Sequence, residues 1–149
     1  MSESEAVELL LVEDNPADLE LALRALRQAK ISNRIYIARD GVEALEFLFC
    51  EGPHASRRIW DGPKLVLLDL KLPRVDGLTV LQRMKEDPRT KTIPVVVMTS
   101  SQEQSDLIQS YALGVNSYIV KPVNFERFAE AVRQLGFYWL LLNQPPVRG

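Results

Sequence analysis

Asp69 closes a solidly apolar run, Leu65–Leu68, and Lys121 closes another, Ser117–Val120. Glu13, Asp14 and Asn15 follow a third run, Val7–Val12, while Thr99, Ser100 and Ser101 follow a fourth, Ile93–Met98. If these runs are strands of one open parallel sheet, their carboxyl ends bring three carboxylates, a hydroxyl and an ammonium to a common rim, where such sheets bind ligands. Carboxylates do not gather unaided. Two unit charges ~4 Å apart repel by about 4 kcal/mol at an effective dielectric near 20. Either one of them binds a proton or a cation is recruited. A hard donor set of oxygens without Cys or His suits magnesium, or else manganese. Magnesium keeps several waters, which leaves coordination for a phosphoryl oxygen. Asp69 could then attack phosphorus, with the metal masking the repulsion and with Lys121 and the Thr99 hydroxyl holding the remaining oxygens. The product of that chemistry is an aspartyl phosphate.

The elements that must position these residues are legible as an alternation. A fifth apolar run, Ile35–Ala38, completes the strands, and several of the five are continuously apolar, as strands covered on both faces of a parallel sheet are. Helical spacing lies between them: Leu19, Leu23 and Leu26, with Pro16 near the start; Ala44, Leu45, Leu48 and Phe49; Leu78, Leu81 and Met84 after the turn signal Asp76-Gly77; Leu107, Ile108, Tyr111 and Ala112, stopped by Gly114; and Phe125, Phe128, Val132 and Leu135. Five strand–helix units in order, joined by right-handed crossovers, make a doubly wound α/β sheet. Arg39-Asp40-Gly41 reads as the turn into the second helix, and Glu51–Pro63, with two Gly, two Pro and two Arg, as an extended surface loop before the third strand.

Composition narrows the rest. The 149 residues suit one domain, and 46% of them are hydrophobic, enough to bury a core. A net charge of −2 offers no broad basic face to nucleic acid, so no DNA binding is expected. Cys50 is the sole cysteine and His54 the sole histidine, so no disulfide forms within the chain and no ordinary structural zinc site can be built. Cys–His and Ser–His nucleophilic machinery is excluded as well, unless His54 itself serves; in the Glu51–Pro63 stretch it reads as a solvated loop residue. The acidic start, Met1-Ser2-Glu3-Ser4-Glu5, has no apolar stretch of a signal peptide, and no run approaches a membrane span. The expectation is a soluble cytoplasmic protein.

The chain resembles the receiver domains of two-component response regulators over about residues 6–136. The motifs that carry the resemblance are Leu10-Leu11-Val12-Glu13-Asp14-Asn15; Leu67-Leu68-Asp69-Leu70-Lys71-Leu72-Pro73 with Asp76-Gly77 after it; Pro94-Val95-Val96-Val97-Met98-Thr99; and Tyr118-Ile119-Val120-Lys121-Pro122. It implies a flavodoxin-like (βα)5 fold with a five-stranded parallel sheet in the order 2-1-3-4-5. It implies that Asp69 is the phosphoacceptor, that Glu13 (through water) and Asp14 hold magnesium with Asp69 and the backbone carbonyl of Lys71, and that Thr99 and Lys121 read the phosphoryl group. Tyr118 would be the aromatic switch residue that swings inward as Thr99 is drawn to the phosphate, and the Lys121–Pro122 bond would be cis. The long insert, the phrase Gly114-Val115-Asn116-Ser117-Tyr118 and the ending Phe137-Tyr138-Trp139-Leu140 look closest to stand-alone regulators that serve bacteriophytochrome histidine kinases. The whole chain, 1–149, then reads as one receiver domain with a C-terminal extension at 137–149. It is a phosphorylation switch that catalyses only its own phosphorylation and dephosphorylation, and it signals through protein–protein contacts.

Each of these residues also has a plainer use. Asp14 or Asn15 could cap a helix starting at Pro16, Asp69 could be a buried strand-end cap, and Thr99 could cap the fourth helix, although Ser101 or Ser105 is the better candidate there. The Lys71 side chain faces solvent or bends over the phosphoryl group, and both stay open. Tyr118 is otherwise a half-buried strand aromatic. A phosphohydrolase would want an Asp-x-Asp pair where this chain has Asp69-Leu70-Lys71; an interaction domain that only keeps the fold would have lost one of Glu13, Asp14, Asp69 or Lys121; and a flavin carrier would not place Glu13 and Asp14 against a phosphate. Phe125, Phe128, Val132, Leu135, Trp139 and Leu142 make one core-facing stripe, which leaves Phe137, Tyr138, Leu140 and Leu141 off it. That surplus suggests a homodimer through the fourth helix, fifth strand, fifth helix and the C-terminal aromatics, with a local folding back of the tail as the alternative.

Overall fold

The computed structural model describes residues 9–29, 34–59, 62–100, 109–110, 112–115 and 117–134. Its elements run β1 (Leu9–Val12), α1 (Pro16–Gln28), β2 (Ile35–Ala38), α2 (Gly41–Leu48), a 3-10 turn (Gly52–His54), β3 (Leu65–Asp69), α3 (Gly77–Glu86), β4 (Val95–Thr99), β5 (Ser117–Val120) and α4 (Phe125–Arg133). The five strands pair in parallel in the order β2-β1-β3-β4-β5, the doubly wound arrangement expected. The helical stretch expected between β4 and β5 lies largely outside the described residues, with helical backbone at Gln109, Ser110 and Ala112. The C-terminal aromatics, and with them the predicted tail contact, also lie outside.

Why the strand runs are solidly apolar is clear from the two faces. Successive side chains of a strand point to opposite sides of the sheet. Leu9 and Leu11 therefore enter one core with Leu19, Ala22 and Leu26 of α1 and Phe128 and Val132 of α4. Leu10 and Val12 enter the other with Ala44, Phe47 and Leu48 of α2 and Val80, Leu81 and Met84 of α3. The edge strand β5 instead alternates buried and exposed. The fourth strand begins at Val95 and not at Ile93, because Pro94 has no N–H to give to a ladder.

Local chemistry sets the helix starts next to the rim. Asn15, not Asp14, caps α1, its Oδ1 accepting the Asp18 N–H at 2.9 Å. Asp40 and Asp76 cap α2 and α3 in the same manner, accepting from Glu43 and Thr79. Two of these helices open on a glycine because there is no space for more. A Cβ on Gly41 would fall 1.8 Å from the Val75 carbonyl oxygen, and one on Gly77 would fall 2.3 Å from that of Asp69. The loop after β3 is thus pressed between the start of α2 and its own strand.

The insert differs from expectation. It is a largely exposed surface segment as expected, but it is not simply extended, and His54 is half-buried: the segment turns at Gly52–His54 and lies against α2 and β2. The Tyr36 hydroxyl lies 3.0 Å from His54 Nε2, and the His54 ring stands edge-on to both Tyr36 and Phe47. Aromatic surface on the edge strand needed a cover, and this stretch supplies it.

Candidate functional site

The strand ends converge as the spacing predicts. Glu13 immediately follows β1, Asp69 ends β3, Thr99 ends β4 and Lys121 follows β5. Carboxylate oxygens of Glu13, Asp14 and Asp69 all lie within 4.8 Å of one another. Lys121 Nζ reaches into the group, 3.1 Å from Asp69 Oδ2 and 3.2 Å from Glu13 Oε1. The Lys121–Pro122 bond is cis. Glu13, Asp69 and Thr99 are buried, whereas Asp14 is exposed and lines an open cleft with Lys71, Pro73 and Asp76.

The electrostatics are those of a site short of positive charge. Burial, then the neighbouring Asp69 charge, push the Glu13 carboxyl up to about 7 against the pull of Lys121. Burial raises Asp69 too, opposed by Lys121 and by the Lys71 N–H, which donates to Asp69 Oδ1 at 3.1 Å. Burial alone would lower the Lys121 ammonium, but Asp69 and Glu13 outweigh it and hold the proton more firmly than usual. One ammonium does not neutralise these carboxylates.

The donor set fits a hard divalent cation. All of its ligand atoms are oxygens, and buried Glu13 Oε1 has the Lys121 ammonium 3.2 Å away but no hydrogen bond, while Asn15 N–H donates to the other oxygen. A buried carboxylate oxygen left without a hydrogen bond costs free energy that a metal ion would recover.

Two of the remaining candidates are placed differently from one another. Thr99 Oγ1 is buried and donates to the Ser100 carbonyl at 3.0 Å. Tyr118 lies on the outer side of β5, 41% exposed. One residue was not anticipated. Asp18 Oδ2 stands 3.1 Å from Lys121 Nζ. It sits in the first turn of α1, where an acid also suits a helix start, so the sequence carried no signal for this contact.

Fold and rim together define a doubly wound α/β domain with an acidic, lysine-bearing site at its strand ends, and comparison with known proteins gives its family. Residues 9–133 match the response regulator receiver domain, and the chain belongs to that family. It is 43% identical over 139 residues to the probable methanogenesis regulatory protein FilR2 of Methanothrix harundinacea, covering 93% of this chain and 86% of that one. It is 40% identical over 132 residues to response regulator Rcp1 of Synechocystis, covering 89% and 88%. Among solved structures it is similar to the bacteriophytochrome response regulator RtBRR (TM-score 0.83, 50% identity, 94% of this chain and 84% of that one). It is also similar to the phosphorylated cyanobacterial phytochrome response regulator RcpA (0.74, 39%, 95% and 99%) and to the Mn2+-bound form of Rcp1 (0.74, 38%, 95% and 99%). Its close relatives therefore include phytochrome-associated response regulators.

Proposed function

We propose that Asp69 accepts a phosphoryl group from a sensor histidine kinase, a bacteriophytochrome being the favoured partner, in a magnesium-dependent reaction, and that the domain then signals by protein–protein contact. The observation that carries this reading is the buried Asp69 carboxylate, 3.1 Å from Lys121 Nζ and grouped with the oxygens of Glu13 and Asp14. Glu13, Asp14, Asp69 and the Lys71 carbonyl would hold the ion, with manganese as a substitute. When bound, it supplies positive charge against the repulsion between a carboxylate and an incoming phosphoryl group. An Asp69 oxygen forms the new O–P bond as the P–N bond to the donor imidazole breaks. Lys121 and the Thr99 hydroxyl take the phosphoryl oxygens, and Tyr118 turns inward as Thr99 moves.

The family match over residues 9–133 supports reading the chain as a single receiver unit. Among the described residues no helix is long and apolar enough to cross a membrane, and we place the protein in the cytoplasm. The exposed β5 side, Tyr118 and Val120 beside Glu126 and Arg127 of α4, is our proposed contact between two copies. A clean monomer in sedimentation at high concentration, with or without phosphate, would remove that contact.

The central reading is tested by intact-mass spectrometry after acetyl phosphate and magnesium. One phosphoryl group is expected on the native chain and none on Asp69→Asn; equal labelling of the two would overturn it.

A further inference from the structure

Lys121 has a third carboxylate beside it, outside the metal-binding group. Asp18 Oδ2 lies 3.1 Å from Nζ, as near as Asp69 Oδ2. The contact is built into the fold. Asp18 sits in the first turn of α1, its backbone N–H held by the Asn15 cap, so its carboxylate is projected from a fixed point across the rim to the residue that follows β5.

An ammonium has three protons to donate. Here Nζ makes hydrogen bonds to Asp18, Asp69 and Glu13, at 3.1, 3.1 and 3.4 Å. Every proton is engaged, so a phosphoryl oxygen gains Lys121 only by displacing one acceptor. The three are not equal. The side chains of Glu13 and Asp69 are 1% and 3% exposed; without an ion, releasing either would strand a buried charge, and with one bound both stay in the rim as its ligands. That of Asp18 is 30% exposed and is taken up by water on release. It is therefore the bond that gives way.

Resting on the reading that Lys121 binds the phosphoryl group, we propose that Asp18 is a positioning residue that competes for the Lys121 ammonium in the unphosphorylated rim and so sets how tightly the domain holds a phosphoryl group. Its effect is on affinity, exerted through Lys121, and it touches no reacting atom.

The test is calorimetric titration of beryllofluoride, a phosphoryl mimic, into the full chain at saturating magnesium, with 19F NMR to confirm the bound species. Asp18→Asn is expected to bind about three- to fivefold tighter than the native chain, the size of effect a partly exposed ion pair carries. Asp18→Glu restores the competitor and should stay within about twofold of native. Asp76→Asn removes the same charge from the neighbouring cleft without a Lys121 contact and keeps its capping oxygen, so it should also stay near native. Unchanged or weaker binding by Asp18→Asn would overturn the proposal, and so would equal tightening by Asp76→Asn, which would reduce the effect to net charge. A native chain that binds no beryllofluoride would overturn the phosphoacceptor reading itself; a native chain that binds while Asp18→Asn leaves the affinity unmoved overturns only the role of Asp18.

Discussion

Two regions of this domain hold polar groups in opposite ways. Around Phe47, on the β2 side, every partner comes from within. Tyr36 stacks on the Phe47 ring with centroids 4.5 Å apart, His54 stands edge-on to both and faces the Tyr36 hydroxyl, and the Arg57 guanidinium lies 3.8 Å above the Phe47 ring while donating to the Phe47 carbonyl. At the rim, Glu13 and Asp69 are far more deeply buried yet share one ammonium, and Glu13 Oε1, though 3.2 Å from it, has no hydrogen bond. The first region is complete and contributes stability. The second is left short of positive charge, which costs stability until something from outside supplies it. The difference marks which of two polar clusters is a site: not the one with more contacts, but the one whose contacts do not balance.

The comparison breaks most easily at Phe47. Phe47→Ala should cost about 3–5 kcal/mol in urea unfolding, because a fully buried ring and its stacked neighbours lose their packing, while magnesium affinity in the folded protein stays within about twofold. A large loss of metal binding in that variant would show that the two regions are not separable.

At the rim the same kind of removal should act in reverse. Glu13→Gln is expected to stabilise the metal-free protein by about 1–3 kcal/mol at pH 8, since it deletes a charge that burial and Asp69 both oppose. The same variant should bind magnesium at least tenfold more weakly by calorimetry. Destabilisation of the metal-free form would mean that the rim is not frustrated.

The pH dependence sharpens the point. Glu13 titrates near 7 in the folded chain against an ordinary 4.5, so between those values the folded state binds more protons than the unfolded one. Stability of the metal-free protein therefore falls as pH rises through that window and levels off above it. Asp69, also raised, pushes in the same direction. Urea midpoints at pH 5 and pH 7.5 with a chelator present should show the decline, and saturating magnesium should abolish it, the ion standing in for the proton. A metal-free stability that rises across the window would contradict the assignment.

The smallest effect belongs to the balanced cluster. Tyr36→Phe keeps the stacking on Phe47 and loses only the hydroxyl at His54, so about 0.5–1.5 kcal/mol is expected in urea unfolding. A loss as large as that of Phe47→Ala would mean that the hydroxyl, and not the ring packing, holds the insert down.

Much of this was legible along the chain. Continuous apolar strands can only be buried on both faces, so Leu9–Val12 and Leu65–Leu68 announced a covered parallel sheet, and polar residues at the ends of such strands announced Glu13, Asp69, Thr99 and Lys121 as neighbours. Helix starts were nearly as plain, although Asn15 and not Asp14 takes the cap, which leaves the Asp14 carboxylate for the rim. Other features were hidden because they depend on partners distant in sequence. Nothing about His54 alone distinguishes a solvated loop histidine from one held against Tyr36, 18 residues away, and nothing about Asp18 separates a helix-surface acid from a ligand of Lys121, 103 residues away.

What the sequence by itself determined is the alternation of strands and helices and the kinds of groups at the strand ends, because these follow from side-chain periodicity and from capping within a few residues. What only the tertiary structure decided is how the charges at that end are shared. Coulomb and desolvation energies depend on distances and burial set by the packing of remote elements, so the poorly satisfied Glu13 oxygen and the three-way sharing of Lys121 exist only once β1, β3, α1 and β5 have met.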